Sequence, residues 1–264
     1  MASNGRVKIQ ARGIQKTFNP GEDGEVRAID RLDLEVYEGE FVALLGPSGC
    51  GKSTFLYMVA GFAHPTQGEL LLDGKLITGP GPDRGIVFQE YVLFPWRTAR
   101  QNIEFGLEIA GVPPDARARR FKELIELIGL KGFEDAYPQT LSGGMQQRVA
   151  IARALAYDPD VLLMDEPFGA LDAQTRRRMH RDLVHVEEAT HKTVLFVTHS
   201  VVEALTLSDR VFLFSARPSV IKETIEVDIP RPRDVTGARF VELERHLIDS
   251  LDAEVEKMMS ISPE

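Results

Sequence analysis

The chain is short of several things, and each shortage excludes something. One cysteine, Cys50, occurs among the 264 residues. No intrachain disulfide can form, which excludes a disulfide-stapled extracellular scaffold. No apolar run approaches the ~18 residues of a membrane span. The longest, such as Val161–Met164 and Val211–Phe214, have the length of strands. The opening residues, Met1 to Arg6, lack the apolar core of a secretion signal. These points favour a reducing, cytosolic compartment. Lys and Arg number 31 against 40 Asp and Glu, a net charge of −9. That balance argues against a general nucleic-acid binder, whose footprint is basic. Internal repeats and low-complexity tracts are also missing. With 43% hydrophobic residues the chain can build a substantial core. Its length suits one large domain or a domain with an inserted subdomain.

What is present centres on residues 46–54, Gly46-Pro47-Ser48-Gly49-Cys50-Gly51-Lys52-Ser53-Thr54. Gly46, Gly51, Lys52 and Ser53 complete the pattern G-x-x-x-x-G-K-[ST]. The run Phe41–Leu45 before it has the look of a buried strand, and Thr54–Ala60 after it that of a helix start. In that context the loop is a phosphate cradle. Glycines let backbone N–H groups converge on a polyphosphate, and the helix N-terminus adds a favourable dipole. Lys52 would reach the β- and γ-phosphates, and the Ser53 hydroxyl would ligate Mg2+. Cys50 reads as a small filler rather than a redox switch.

Val161 to Met164 is an apolar run ending in two acids, Asp165 and Glu166. A carboxylate at a strand tip can hold Mg2+, and a second beside a γ-phosphate can orient and deprotonate a water. Asp165 is assigned to the metal and Glu166 to the water. Ser142, before Gly143 and Gly144, is a natural N-cap for a helix running through Ala154. The element is either an ordinary cap or a second phosphate-binding helix N-terminus. Helical patterning extends from about 97 to 155, with Phe121, Leu124, Ile125 and Ile128 on one face. Strand-like runs then alternate with helices, which predicts a parallel sheet wrapped by helices. Ser200 and Glu203 have the spacing of a capping box. Pro230 to Asp234 reads as a rigid linker. Phe240, Leu243, Leu247, Leu251 and Val255 predict a terminal amphipathic helix packed on the core or a partner.

The order of these elements resembles that of the ATP-binding cassette (ABC) ATPases. The resemblance implies an α/β P-loop NTPase fold of the ABC type, a RecA-like core with antiparallel β and helical subdomains. It implies an ATPase domain over 7–225, with the helical subdomain at about 97–155 inserted, and a C-terminal linker and helix over 226–264. It also implies roles for further residues. Gln89 resembles the glutamine that senses Mg2+ and the attacking water. Ala170-Leu171-Asp172 resembles the loop that crosses between two subunits, and His199 the switch histidine at the γ-phosphate. Phe18 lies where an aromatic stacks under adenine; a core Phe is the alternative. Met145 stands where the signature usually has Gln, a departure the family tolerates.

The resemblance implies ATP and Mg2+ as cofactors and a head-to-tail dimer with a second ATPase subunit. A chain without a spanning segment needs separate transmembrane permease subunits as partners, and indirectly a periplasmic or lipid-anchored solute-binding protein. The expected place is the cytoplasmic face of the cell membrane, with no nucleic-acid partner. Tyr91-Val92-Leu93-Phe94-Pro95-Trp96 would pack its aromatics internally or offer a groove for a partner's helix. The text from Gln89 to Trp96, with Ser215–Pro218 and Val227–Asp234, resembles the subgroup serving nitrate, sulfonate and taurine importers. Ser219 replaces the subgroup's usual Gly after Pro218. An exporter ATPase, or a non-transport ABC ATPase acting on nucleic acid or ribosomes, are the alternatives.

Overall fold

A computed structural model describes residues 5–22 and 24–261. In chain order, β1 (Val7–Phe18), β2 (Val26–Tyr37) and β3 (Phe41–Leu45) precede α1 (Lys52–Ala60), β4 (Gln67–Leu72) and β5 (Lys75–Leu76). Next come β6 (Arg84–Val87), α2 (Ala99–Ile109), α3 (Pro114–Leu127), α4 (Gly143–Leu155), β7 (Val161–Asp165) and α5 (Ala173–Thr190). The chain finishes with β8 (Thr193–Thr198), α6 (Val201–Leu207), β9 (Arg210–Phe214), β10 (Ile221–Glu226) and α7 (Ala238–Ile261). Pro82–Lys192 form one compact unit, and the described residues on either side of that stretch in sequence form the other.

The flanking unit holds an antiparallel sheet, β2-β1-β4-β5, and a second set of strands in the order β10-β9-β3-β8. In β2 the buried residues Leu32, Leu34 and Val36 alternate with Arg31, Asp33 and Glu35. That period of two is the mark of a sheet with one covered face. Asp73 and Gly74 both take positive φ, 49° and 74°, and close the tight β4–β5 hairpin. In the second set, β3 pairs in parallel with both β8 and β9. All five residues of β3 are buried, as expected of a parallel strand covered on both faces.

In the Pro82–Lys192 unit, β6 and β7 pair in parallel and α2, α3 and α4 pack together. Phe121, Leu124, Ile125 and Ile128 are all buried, on the face the spacing predicts. Thr98 starts α2 with a capping box: its hydroxyl accepts from the Gln101 N–H at 3.3 Å, and Gln101 accepts from the Thr98 N–H at 3.0 Å. Such a cap is worth about 1 kcal/mol. The fully buried Asn102 locks the preceding turn. Its amide nitrogen donates to the carbonyls of Phe94, Arg97 and Thr98, and its oxygen accepts from the Phe94 N–H.

Residues 230–234, expected as a rigid linker, are tied to the end of α6, and two other expectations are corrected. Arg231 donates to Leu207 O and Asp209, and Arg233 donates to Leu205 O and Ser208 O. Burial lowers the Arg233 pKa to about 10, yet four backbone carbonyls hold the cation in place. The capping box at α6 is half formed. Ser200 accepts from the Glu203 N–H, but the Glu203 carboxylate accepts from the Thr198 hydroxyl at 2.6 Å, and that hydroxyl accepts from the Ser200 N–H. On α7 the buried stripe is Phe240, Leu243, Leu247 and Glu254, whereas Leu251 and Val255 are only half-buried. A strict 3.6-residue period carries that stripe to 254 rather than 255.

Candidate active site

In the flanking unit, the loop 46–51 joins the C-terminal end of β3 to the start of α1. Gly51, with φ 107°, is the N-cap of α1, a conformation that any side chain would strain. Lys52 is 4% exposed. Its ammonium donates to Gly46 O and Pro47 O, each at 2.8 Å, and so ties the two ends of the loop together. Ser48 and Gly49 are exposed at the loop's tip, while Ser53 and Thr54 are half-buried in the first turn of α1. Cys50 is fully buried, and burial pushes its thiol pKa up, which suits a filler and not a redox centre.

The register places His199. Leu45 lies opposite Thr198 in the parallel β3–β8 pair, so Gly46 and His199 leave the sheet side by side at the same end. His199 is exposed there. Phe18 ends β1 and is 42% exposed, with the Lys16 ammonium 5.1 Å from its ring centroid. It is not a core residue.

In the Pro82–Lys192 unit the same logic holds. Val87 faces Met164 in the parallel β6–β7 pair, so Gln89 and the acids Asp165 and Glu166 leave from one end. Asp165 is buried. Glu166 takes φ 42°, a left-handed backbone that costs a non-glycine residue about 1–2 kcal/mol. Strain of this kind collects at functional sites. A point at the Cβ position of Gly169 lies 3.5 Å from Glu166 O and 3.7 Å from the Gln89 side-chain nitrogen, so all three share one locality.

Ser142 caps α4, accepting from the Met145 N–H at 3.4 Å, and its side chain is exposed. A Cβ at Gly143 would lie 2.9 Å from the Tyr91 hydroxyl, and one at Gly144 2.8 Å from the Thr175 methyl. Glycine here lets the loops before α2 and after β7 close on the start of α4. Asp172 caps α5, accepting from the Gln174 and Thr175 N–H groups at 3.0 Å. Those bonds hold its carboxyl below the usual range.

Two arginines that sequence reasoning missed hold these loops. Arg153, on α4, donates to Tyr91 O at 3.1 Å and Val92 O at 2.6 Å. Arg176, on α5, donates to Phe168 O and Leu171 O. Their partners are backbone carbonyls, about sixty residues away for Arg153 and five and eight away for Arg176, and carbonyls carry no side-chain signature. Arg153 grips a strained point, since the β-branched, exposed Val92 sits at φ 46°. In ordinary backbone Ala is more stable than Gly by roughly 0.5–1 kcal/mol. Here the order should invert: Val92→Gly is expected to be about 1 kcal/mol more stable than Val92→Ala in urea unfolding. The ordinary order would contradict the left-handed backbone.

Ser53 in the flanking unit, and Gln89 and Asp165 in the Pro82–Lys192 unit, each carry an oxygen donor, the chemistry that a hard cation such as Mg2+ takes. Among the described residues no group of three or more His, Cys, Asp or Glu side chains is placed to hold a metal. Among those residues no helix is long and apolar enough to cross a membrane.

Comparison with known proteins identifies the family. The family model for ABC transporters matches residues 29–169. An ABC transporter ATP-binding protein of Methanocaldococcus jannaschii is 52% identical over 96% of this chain and 95% of its own. The nitrate import ATP-binding protein NrtD of Synechocystis sp. is 46% identical over 90% of each chain. Among solved structures, the dimeric post-hydrolysis state of the ATP-binding cassette MJ0796, bound to ADP and Pi, superposes with a TM-score of 0.71 at 33% identity, covering 83% of this chain and 98% of that one. The chain belongs to the ABC transporter family and is an ABC-type ATPase.

Proposed function

We propose that this chain is the ATP-hydrolysing subunit of an importer for a small anion such as nitrate, a sulfonate or taurine. It works at the cytoplasmic face of the membrane as a head-to-tail dimer with a second ATPase subunit, and drives separate permease subunits served by a solute-binding protein. Likeness to NrtD over nine-tenths of both chains carries the importer reading. The dimeric MJ0796 cassette supports the pairing of two subunits.

In this reading the backbone N–H groups of 46–54 and the Lys52 ammonium bind the phosphates of ATP, and Phe18 stacks on adenine. Ser142, Gly143 and Gly144 offer a second helix N-terminus to the γ-phosphate held by the partner subunit, next to Asp172. Glu166 takes a proton from the attacking water, while His199 and Gln89 orient the γ-phosphate and that water. Ser53, Asp165 and Gln89 would hold Mg2+, which would supply positive charge against the negative charge on the phosphate oxygens and leaving group.

The contact to the permease falls at the turn before α2. Trp96 is 71% exposed, and its ring lies 5.6 Å from that of Phe94, which packs edge-on against Phe105 at 4.6 Å. Arg97 covers Phe105, and Asn102 fixes the backbone beneath. A rigid aromatic ledge of this kind suits a helix from a membrane partner. The test is to tag the chain, solubilise native membranes gently and identify what co-purifies. A multi-spanning permease and a solute receptor are expected. Both should be lost from the double variant Phe94→Ser, Trp96→Ser, whose soluble ATPase persists. Recovery of ribosomal or DNA-repair proteins without a membrane partner would contradict transport.

A further inference from the structure

We infer that the C-terminal helix α7 braces the phosphate loop, with Glu254 and Met258 as positioning residues that raise its affinity for the nucleotide. The link to affinity rests on the ATPase reading above; the brace itself does not.

The underside of the loop rests on residues 214–219. A Cβ at Gly46 would lie 3.0 Å from both the Cβ and the carbonyl oxygen of Phe214, and one at Gly51 3.4 Å from the Ser219 hydroxyl. Ser219 is fully buried. Its N–H and hydroxyl both donate to Ala28 O, and its carbonyl accepts from the Asp30 N–H. The Ser215 N–H donates to Val220 O, and the Ser215 hydroxyl accepts from the Val220 N–H, so the segment is a closed turn.

Helix α7 grips that turn from its other side. The Glu254 carboxylate, 1% exposed, accepts from the Ala216 N–H at 2.8 Å, from Lys257 at 2.6 Å and from Lys222 at 3.1 Å. One turn on, the Met258 sulfur accepts from the Arg217 N–H at 3.2 Å. The Met258 methyl stands 3.9 Å from the point a Gly49 Cβ would occupy. Burial pushes the Glu254 pKa up, but Lys257, the Ala216 N–H and Lys222 outweigh it and bring it to about 2. A helix that only covered the core would carry an apolar residue at 254, as it does at Leu247. A carboxylate there fixes the 216–217 backbone in position as well as in depth. A loop whose N–H groups already converge loses less freedom when phosphate arrives, so it binds more tightly.

The test is amide hydrogen exchange without nucleotide, followed by ATP affinity and steady-state kinetics. Glu254→Ala should speed exchange in residues 46–52 and leave 99–109 unchanged. It should weaken ATP binding about tenfold, seen in KM rather than kcat. Glu254→Gln, which still accepts from Ala216, should recover part of the loss. Where Glu254→Ala does not fold, Met258→Ala should move both readouts the same way by less. Faster exchange confined to 238–261 in each variant, with 46–52 and ATP affinity unmoved, would overturn the brace. Wild-type protein that binds no ATP would instead sink the ATPase reading while the exchange result still judged the brace.

Discussion

Glu166→Gln should hydrolyse ATP about 10²–10⁴-fold more slowly than the wild type while binding ATP as tightly, the range expected when a positioned general base is removed. The substitution keeps the side chain's shape and its hydrogen-bonding oxygen but cannot take a proton. The left-handed backbone at Glu166 argues that the position is set by function. A residue free to relax would shed that strain, and here it directly follows a strand, β7, that is buried from end to end. Phosphate release and ATP calorimetry on the same preparation check both halves. Normal turnover in this variant would remove Glu166 from the base role.

Lys52→Ala should weaken ATP binding about 100-fold. The ammonium is buried and makes two short bonds to the carbonyls of Gly46 and Pro47. A charge-assisted bond contributes roughly 1.5–3 kcal/mol, so losing one or two to phosphate amounts to about 3 kcal/mol. Lys52→Arg should not restore binding, because the planar guanidinium is too bulky for a slot closed by two carbonyls 2.8 Å from the nitrogen. Unchanged affinity in the Ala variant, by calorimetry, would contradict the cradle.

The site residues were legible where the reason for them is local. Gly51 answers a left-handed φ, Ser142 an unpaired helix N-terminus, and the run 161–166 a strand ending in acids. The α/β alternation was readable for the same reason, since β3, β7 and β8 are unbroken apolar runs. What stayed hidden depends on partners distant in sequence. Arg231 and Arg233 read as part of a linker because the carbonyls they bind, at the end of α6, carry no side-chain signature. The role of Glu254 has no sequence mark because two of its partners, Ala216 and Lys222, are more than thirty residues away. Glu203 has the spacing of a capping box, but the Thr198 hydroxyl, brought there by β8, takes its carboxylate. Strain at Val92 has no sequence mark, because Val is a residue that position disfavours.

The central claim, that this ATPase drives a membrane importer, is tested most directly by phosphate release from the chain reconstituted in liposomes with its co-purified permease. The account predicts hydrolysis that rises when the solute receptor is added with its anion, and that is absent in Glu166→Gln. Hydrolysis indifferent to permease and loaded receptor alike would contradict it.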